Sequence, residues 1–108
     1  MINKNYSIVF DEVILKQMKK LGKNPFLKNL LTKMFDRIEL LGGDAGNLID
    51  SRLHIYEIKN MRPPMRLYFK IVEPKKEAYI FEYELKTSQE KQIKTIEKIR
   101  KKVLSLKP

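Results

Sequence analysis

Three apolar segments rich in β-branched and aromatic residues follow one another closely: Leu53 to Lys59, Met65 to Val72 and Ala78 to Leu85. The stretches between them, Asn60-Met61-Arg62-Pro63-Pro64 and Glu73-Pro74-Lys75-Lys76-Glu77, are short and rich in proline and charge. A parallel crossover needs a dozen residues or more, so connectors this short admit only antiparallel pairing. The second half of the chain must therefore build an antiparallel meander, and everything before and after it has to pack on that sheet.

The first half alternates differently. Tyr6 to Phe10 reads as a strand, and Asp11-Glu12 supply the acidic start of a helix with Val13, Ile14, Met18 and Leu21 on one face, stopped at Gly22. Asn24-Pro25 is a cap followed by proline at the first helical position. Leu27, Leu30, Leu31, Met34, Ile38 and Leu41 then recur at helical spacing up to Gly42-Gly43. Asp44 to Ser51 is expected to be loop. After Thr87-Ser88, a final helix carries Ile93, Ile96, Ile99, Val103 and Leu106 as its apolar stripe, with Lys91, Lys94, Lys98, Lys101 and Lys102 around it as a solvated surface. The expected architecture is α+β in the order β-α-α-β-β-β-α, a single domain over 1–108. It has an antiparallel sheet, an N-terminal helical hairpin and a C-terminal helix, with the helices on one face and the other face free to bind.

Composition narrows the chemistry. There is no cysteine and a single histidine, His54, so disulfides, a thiolate nucleophile and a histidine or thiolate metal centre are excluded, and no metal or other cofactor is expected. No apolar run approaches the ~20 residues of a membrane span, and no signal-peptide pattern opens the chain, which points to a cytoplasmic protein with no membrane partner. The 23 Lys plus Arg against 13 Asp plus Glu give a net charge of +10, and the pI is near 9.8. That excess attracts polyanions and admits RNA, DNA, an acidic protein or an anionic surface without choosing among them.

The stretch Leu53-His54-Ile55-Tyr56-Glu57-Ile58-Lys59, followed by Met65-Arg66-Leu67-Tyr68-Phe69, resembles the RelE/HigB/ParE superfamily of toxin-antitoxin toxins, especially its HigB-like and phage Gp49-like branch. Ile55 to Lys59 matches that branch's "LYELR" strand, and Tyr83-Glu84-Leu85-Lys86-Thr87 is similar to its "F-x-KKT" segment at the start of the last helix. The chain departs from the pattern at Leu85, where the first of two lysines would stand, and at Phe81-Glu82-Tyr83, where a histidine is often found.

The resemblance implies a toxin held by a cognate antitoxin. It further implies a ribosome-associated endoribonuclease that cleaves mRNA by attack of a ribose 2′-OH on the adjacent phosphate. Such cleavage needs a proton acceptor, positive charge for the transition state and an acid for the leaving 5′-oxygen. On this resemblance Arg66 is the candidate for the scissile phosphate, since a guanidinium stays charged and can hold two oxygens. Lys59 is placed beside it as an electrostatic partner, Lys86 as acid or charge stabiliser, and Tyr83 for stacking or donation to phosphate. Arg52, Arg62 and Lys91 are candidate RNA-backbone contacts. Each residue also has a plainer structural reading: Arg66 can pair with Glu57 or Glu84 across the sheet, and Tyr83 can be a strand aromatic of the core. Two other functions stay open, a ParE-like gyrase poison and a non-catalytic RNA- or protein-binding module.

Overall fold

A computed structural model describes residues 5–86 and 88–106. The elements run β1 (Ser7–Phe10), α1 (Glu12–Lys20), α2 (Pro25–Leu41), β2 (Asn47–Asp50), β3 (Ile55–Met61), β4 (Pro64–Val72), β5 (Glu77–Leu85) and α3 (Gln89–Ser105). The expected helix starts are built as read. Asp11 Oδ2 accepts from the Val13 amide at 3.1 Å, and Asn24 Oδ1 accepts from the Leu27 amide at 3.2 Å with Pro25 behind it. Ser88 Oγ accepts from the Lys91 amide. Thr87, the residue before that cap, lies outside the described residues. Gly42 closes α2 at φ 59, where an added Cβ would lie 2.5 Å from the Tyr6 ring, so the position excludes a side chain on both counts.

The five strands form one sheet in the order β1-β5-β4-β3-β2. The meander β3-β4-β5 is antiparallel, as its connectors require. Three expectations are corrected. β1 runs parallel to β5, Ser7 opposite Glu77 through Phe10 opposite Ile80, because two helices carry the chain to the far edge of the sheet and the antiparallel run β2-β3-β4-β5 brings it back beside β1. Asp44 to Ser51 is not all loop: Asn47–Asp50 adds a short antiparallel strand on the outside of β3. The helices also do not share one face. α1 and α2 bury Ile14, Leu31, Met34 and Ile38 against Ile58, Leu67, Phe69 and Ile80, whereas Ile99 and Val103 of α3 pack on Ile55, Tyr68 and Phe81. The face expected to be free is thus partly covered by the last helix.

What α3 covers is unusual. The sheet positions beneath it form cross-strand rows, Glu57-Tyr68-Glu82 and Lys59-Arg66-Glu84, and all three glutamates are buried. Each has a partner. Glu84 accepts from the Tyr68 hydroxyl at 2.7 Å and from Thr95 Oγ1 of α3 at 2.6 Å. Burial, then the bond to Glu84, pushes the Tyr68 phenol far up, so it remains a donor throughout the physiological range. Glu82 receives Lys98 at 2.8 Å, and at the end of the sheet Lys102 reaches Asp11 at 2.9 Å. Two lysines of the expected solvated stripe are therefore ion-pair partners. The helix is rolled to meet these acids: Thr95 is buried, while Ile93 stays 55% exposed.

Three stability measurements check this docking. Thr95→Val should cost about 1–3 kcal/mol in urea unfolding, because it leaves a buried carboxylate oxygen without its donor. Ile93→Ala, although it removes an apolar residue, should stay within about 0.5 kcal/mol. Asp50 accepts from the Leu53 amide at 3.0 Å and from Arg100 of α3 at 2.8 Å. The amide first, then the guanidinium, hold its carboxyl below the usual range. A lowered folded value means that its contribution is present above the ordinary carboxylate pKa and disappears as pH falls through the folded one. Asp50→Asn should accordingly flatten the acid limb of a stability-against-pH curve.

Candidate nucleic-acid site

Lys59 and Arg66 are direct cross-strand partners near the β3–β4 hairpin, and Arg66 is in turn opposite Glu84 on β5. The hairpin is tighter than its five-residue connector suggests. The strands extend to Met61 and from Pro64, leaving Arg62-Pro63 as the turn, which Asn60 Nδ2 closes onto the Pro63 carbonyl at 2.8 Å. Just past β5, Lys86 takes φ 43, a left-handed conformation uncommon for a residue with a Cβ, while its amide donates to the Pro64 carbonyl at 3.2 Å. That turn redirects the chain into α3 and brings Lys86 beside the other two cations. Lys59, Arg66 and Lys86 line one cleft of about 220 Å³ with Glu84 and the hairpin residues.

The three cations are not equivalent. Arg66 Nη1 donates to both oxygens of Glu57, at 2.7 and 2.9 Å, the diagonal neighbour on β3. Nε and Nη2 have no hydrogen-bond partner among the described residues, so the pair fixes the guanidinium's orientation and leaves one side of its fork to face a ligand. The pairing with Glu57 noted in the sequence is thus present. Lys59 and Lys86 form no ion pair among the described residues, and both are exposed.

The other sequence candidates fall elsewhere. Tyr83 pairs with Leu67 and points to the opposite side of the sheet, into the core under α1 and α2. The cause is a β-bulge at Phe81: Tyr68 is opposite Glu82 while Phe69 is opposite Ile80, so side-chain alternation changes face there. Burial raises the Tyr83 phenol, and Gln17 holds its backbone from both sides at 2.9 Å. It is a core residue and does not join the cations. Arg62 is exposed in the hairpin turn, near the cleft but outside its lining. Lys91 is exposed in the first turn of α3. Arg52 lies before β3, beyond the strand's other end and roughly 20 Å of strand from Lys59. His54 is at that far end too. Glu57, Tyr68 and Thr95, which set the site's geometry, were not singled out as site residues. Their signal is the pair of i,i+2 acids, Glu82 and Glu84, in a strand that pairs on both sides.

No protein-family model matches the sequence, and no curated protein does. Solved structures do. The isolated E. coli RelE toxin is 23% identical and superposes over 87% of this chain and 98% of its own, with a TM-score of 0.63. RelE of the intact E. coli RelBE toxin-antitoxin complex is 25% identical, covering 78% of this chain and 99% of its own at a TM-score of 0.62. The RelBE2 toxin-antitoxin complex of Mycobacterium tuberculosis is 15% identical, covering 79% and 95% at 0.59. These matches span nearly the full length of the solved chains, and the resemblance first seen in the strand motifs holds for the whole architecture: this chain has the fold of the RelE toxins.

Proposed function

We propose that the protein is the toxin of a type II toxin-antitoxin pair, and that it acts in the cytoplasm as a metal-independent, ribosome-associated endoribonuclease on mRNA. The observation that carries this reading is the convergence of Lys59, Arg66 and Lys86 on one cleft of a RelE fold. In the reaction the 2′-oxygen bonds to phosphorus and the bond from phosphorus to the 5′-oxygen breaks, leaving a cyclic phosphate and a free 5′-hydroxyl. Arg66 holds the phosphate oxygens through the open side of its fork, with Lys59 adding charge as negative charge builds. Lys86, at the mouth of the cleft, donates the proton that the leaving 5′-oxygen takes up. Glu84, the one carboxylate in the lining, is buried and already accepts from Tyr68 and Thr95, so the proton of the attacking hydroxyl passes to solvent at the open side of the cleft. The antitoxin, as in the solved RelBE complexes, would cover the toxin; its acidic or amphipathic segment suits a chain of net charge +10.

A second reading, poisoning of another target by binding alone, has one observation in its favour: Glu57 already neutralises part of Arg66. Induction in cells separates the two. The wild type should arrest growth and generate new mRNA 5′ ends. The double variant Lys59→Ala/Lys86→Ala, which removes only exposed side chains, should lower cleavage by on the order of a hundredfold or more. Arg66→Ala should do the same, and the double variant guards against misfolding caused by a stranded Glu57. Growth arrest with intact transcripts would discard the nuclease and leave gyrase or another target.

A further inference from the structure

A second cleft, of about 440 Å³, opens on the opposite side of β3, between that strand and α2. Its floor is apolar, made by Leu30, Met34 and Ile58, and its rim carries Lys33 and Arg37 of α2 together with Lys59 and Asn60 of β3. Lys33 and Arg37 are four residues apart, so they project from the same side of the helix. Both are exposed, and neither has a hydrogen bond or ion pair among the described residues. Two like charges at this spacing repel. Some surface cations are answered by acids, Lys76 by Glu73 and Arg100 by Asp50 and Glu97, whereas Lys33 and Arg37 belong to those that are not. The acids in the lining here are Asp44 and Glu57, and Glu57 is committed to Arg66.

The two clefts are continuous. Lys59 and Asn60 belong to both linings. β2 pairs with β3 only from Glu57 back to Ile55, so beyond Glu57 the strand has an open edge, and nothing from β2 separates the clefts. A flexible polyanion lying at Arg66 can bend over this edge, pass Lys59 and enter the groove on the far side.

We propose that the cleft beside α2 is a second RNA subsite. Lys33 and Arg37 bind the backbone phosphate of a nucleotide flanking the one held at Arg66, Lys59 is shared by the two phosphates, and the apolar floor takes the flanking base. The occupant is single-stranded, since a rigid duplex cannot fold around a sheet edge or place one base into a cavity of this size. This subsite rests on the reading of the protein as acting on RNA.

The test measures anisotropy of a fluorescein-labelled, mixed-sequence single-stranded RNA of about ten nucleotides, titrated with the full chain over a range of salt concentrations. Lys33→Ala/Arg37→Ala should weaken binding on the order of tenfold and reduce the slope of log K against log salt by about 1.4, two phosphate contacts at about 0.7 each. Lys75→Ala/Lys101→Ala, in the β4–β5 connection and near the C-terminal end of α3, removes the same charge at the other end of the strands and should stay within about twofold of wild type. If both double variants behave alike while the wild type binds, the subsite is wrong and the RNA reading survives. A wild type that does not bind RNA removes the subsite, and the nuclease reading is then decided by the transcript 5′ ends alone. Equal affinity for a duplex DNA of the same length would overturn the subsite in favour of a general basic surface.

Discussion

Three carboxylates inside the protein, Glu57, Glu82 and Glu84, organise most of what is distinctive about this chain. A buried acid is tolerated only if it is paired or hydrogen-bonded, because withdrawing a charge from water costs several kcal/mol that packing alone does not return. Each acid therefore dictates a neighbour. Glu84 requires Tyr68 and Thr95, Glu82 requires Lys98, and Glu57 requires Arg66. Two of these partners lie on α3, so the same requirement fixes the roll of that helix against the sheet.

The candidate site is the end of this network that opens to solvent. A guanidinium in a purely basic cleft would be free to swing among rotamers. Anchored through one nitrogen to a buried carboxylate, it is held in place with part of its fork directed outward. The pair thus has two effects of opposite sign for an anion: it lowers the local positive charge, and it removes the entropy cost of ordering the side chain on binding. Lys59 and Lys86, exposed and unpaired among the described residues, restore the charge that Glu57 subtracts. Orientation and field are in this way supplied by different residues, which is why the arginine can be partly buried without losing access.

How far this was readable from sequence depends on which physical effect decided each feature. The meander, the helix caps and the cross-strand juxtaposition of Lys59 and Arg66 follow from connector length, cap chemistry and two-residue alternation, all of them local. β2 was missed because Asn47 and Asp50 flank only two apolar residues, a composition with low strand preference. It becomes a strand through its pairing with β3. Gly46 permits that approach, since a Cβ there would collide with the Glu57 carbonyl. Alternation counted straight through β5 puts Tyr83 on the face of Tyr79 and Phe81; one extra residue at the bulge sends it to the other side. The roll of α3 was hidden for another reason: a helix read by its isoleucines gives no weight to Thr95, whose burial is set by an acid on a distant strand.

The short length of β2 matters as much as its presence. An unpaired strand end is a hazard for edge-to-edge association, and lysine is a common protection against it, so a charge at Lys59 needs no functional explanation by itself. Edge protection does not, however, account for a guanidinium fixed inside a cleft, for a lysine brought to the same cleft by a left-handed turn, or for two further unpaired cations on the facing helix. The fold shared with RelE toxins leaves chemistry open, because the same scaffold can carry different sites. On the reading proposed above, it is narrowed by the placement of these cations on both sides of a bare strand end, which suits a flexible phosphodiester chain.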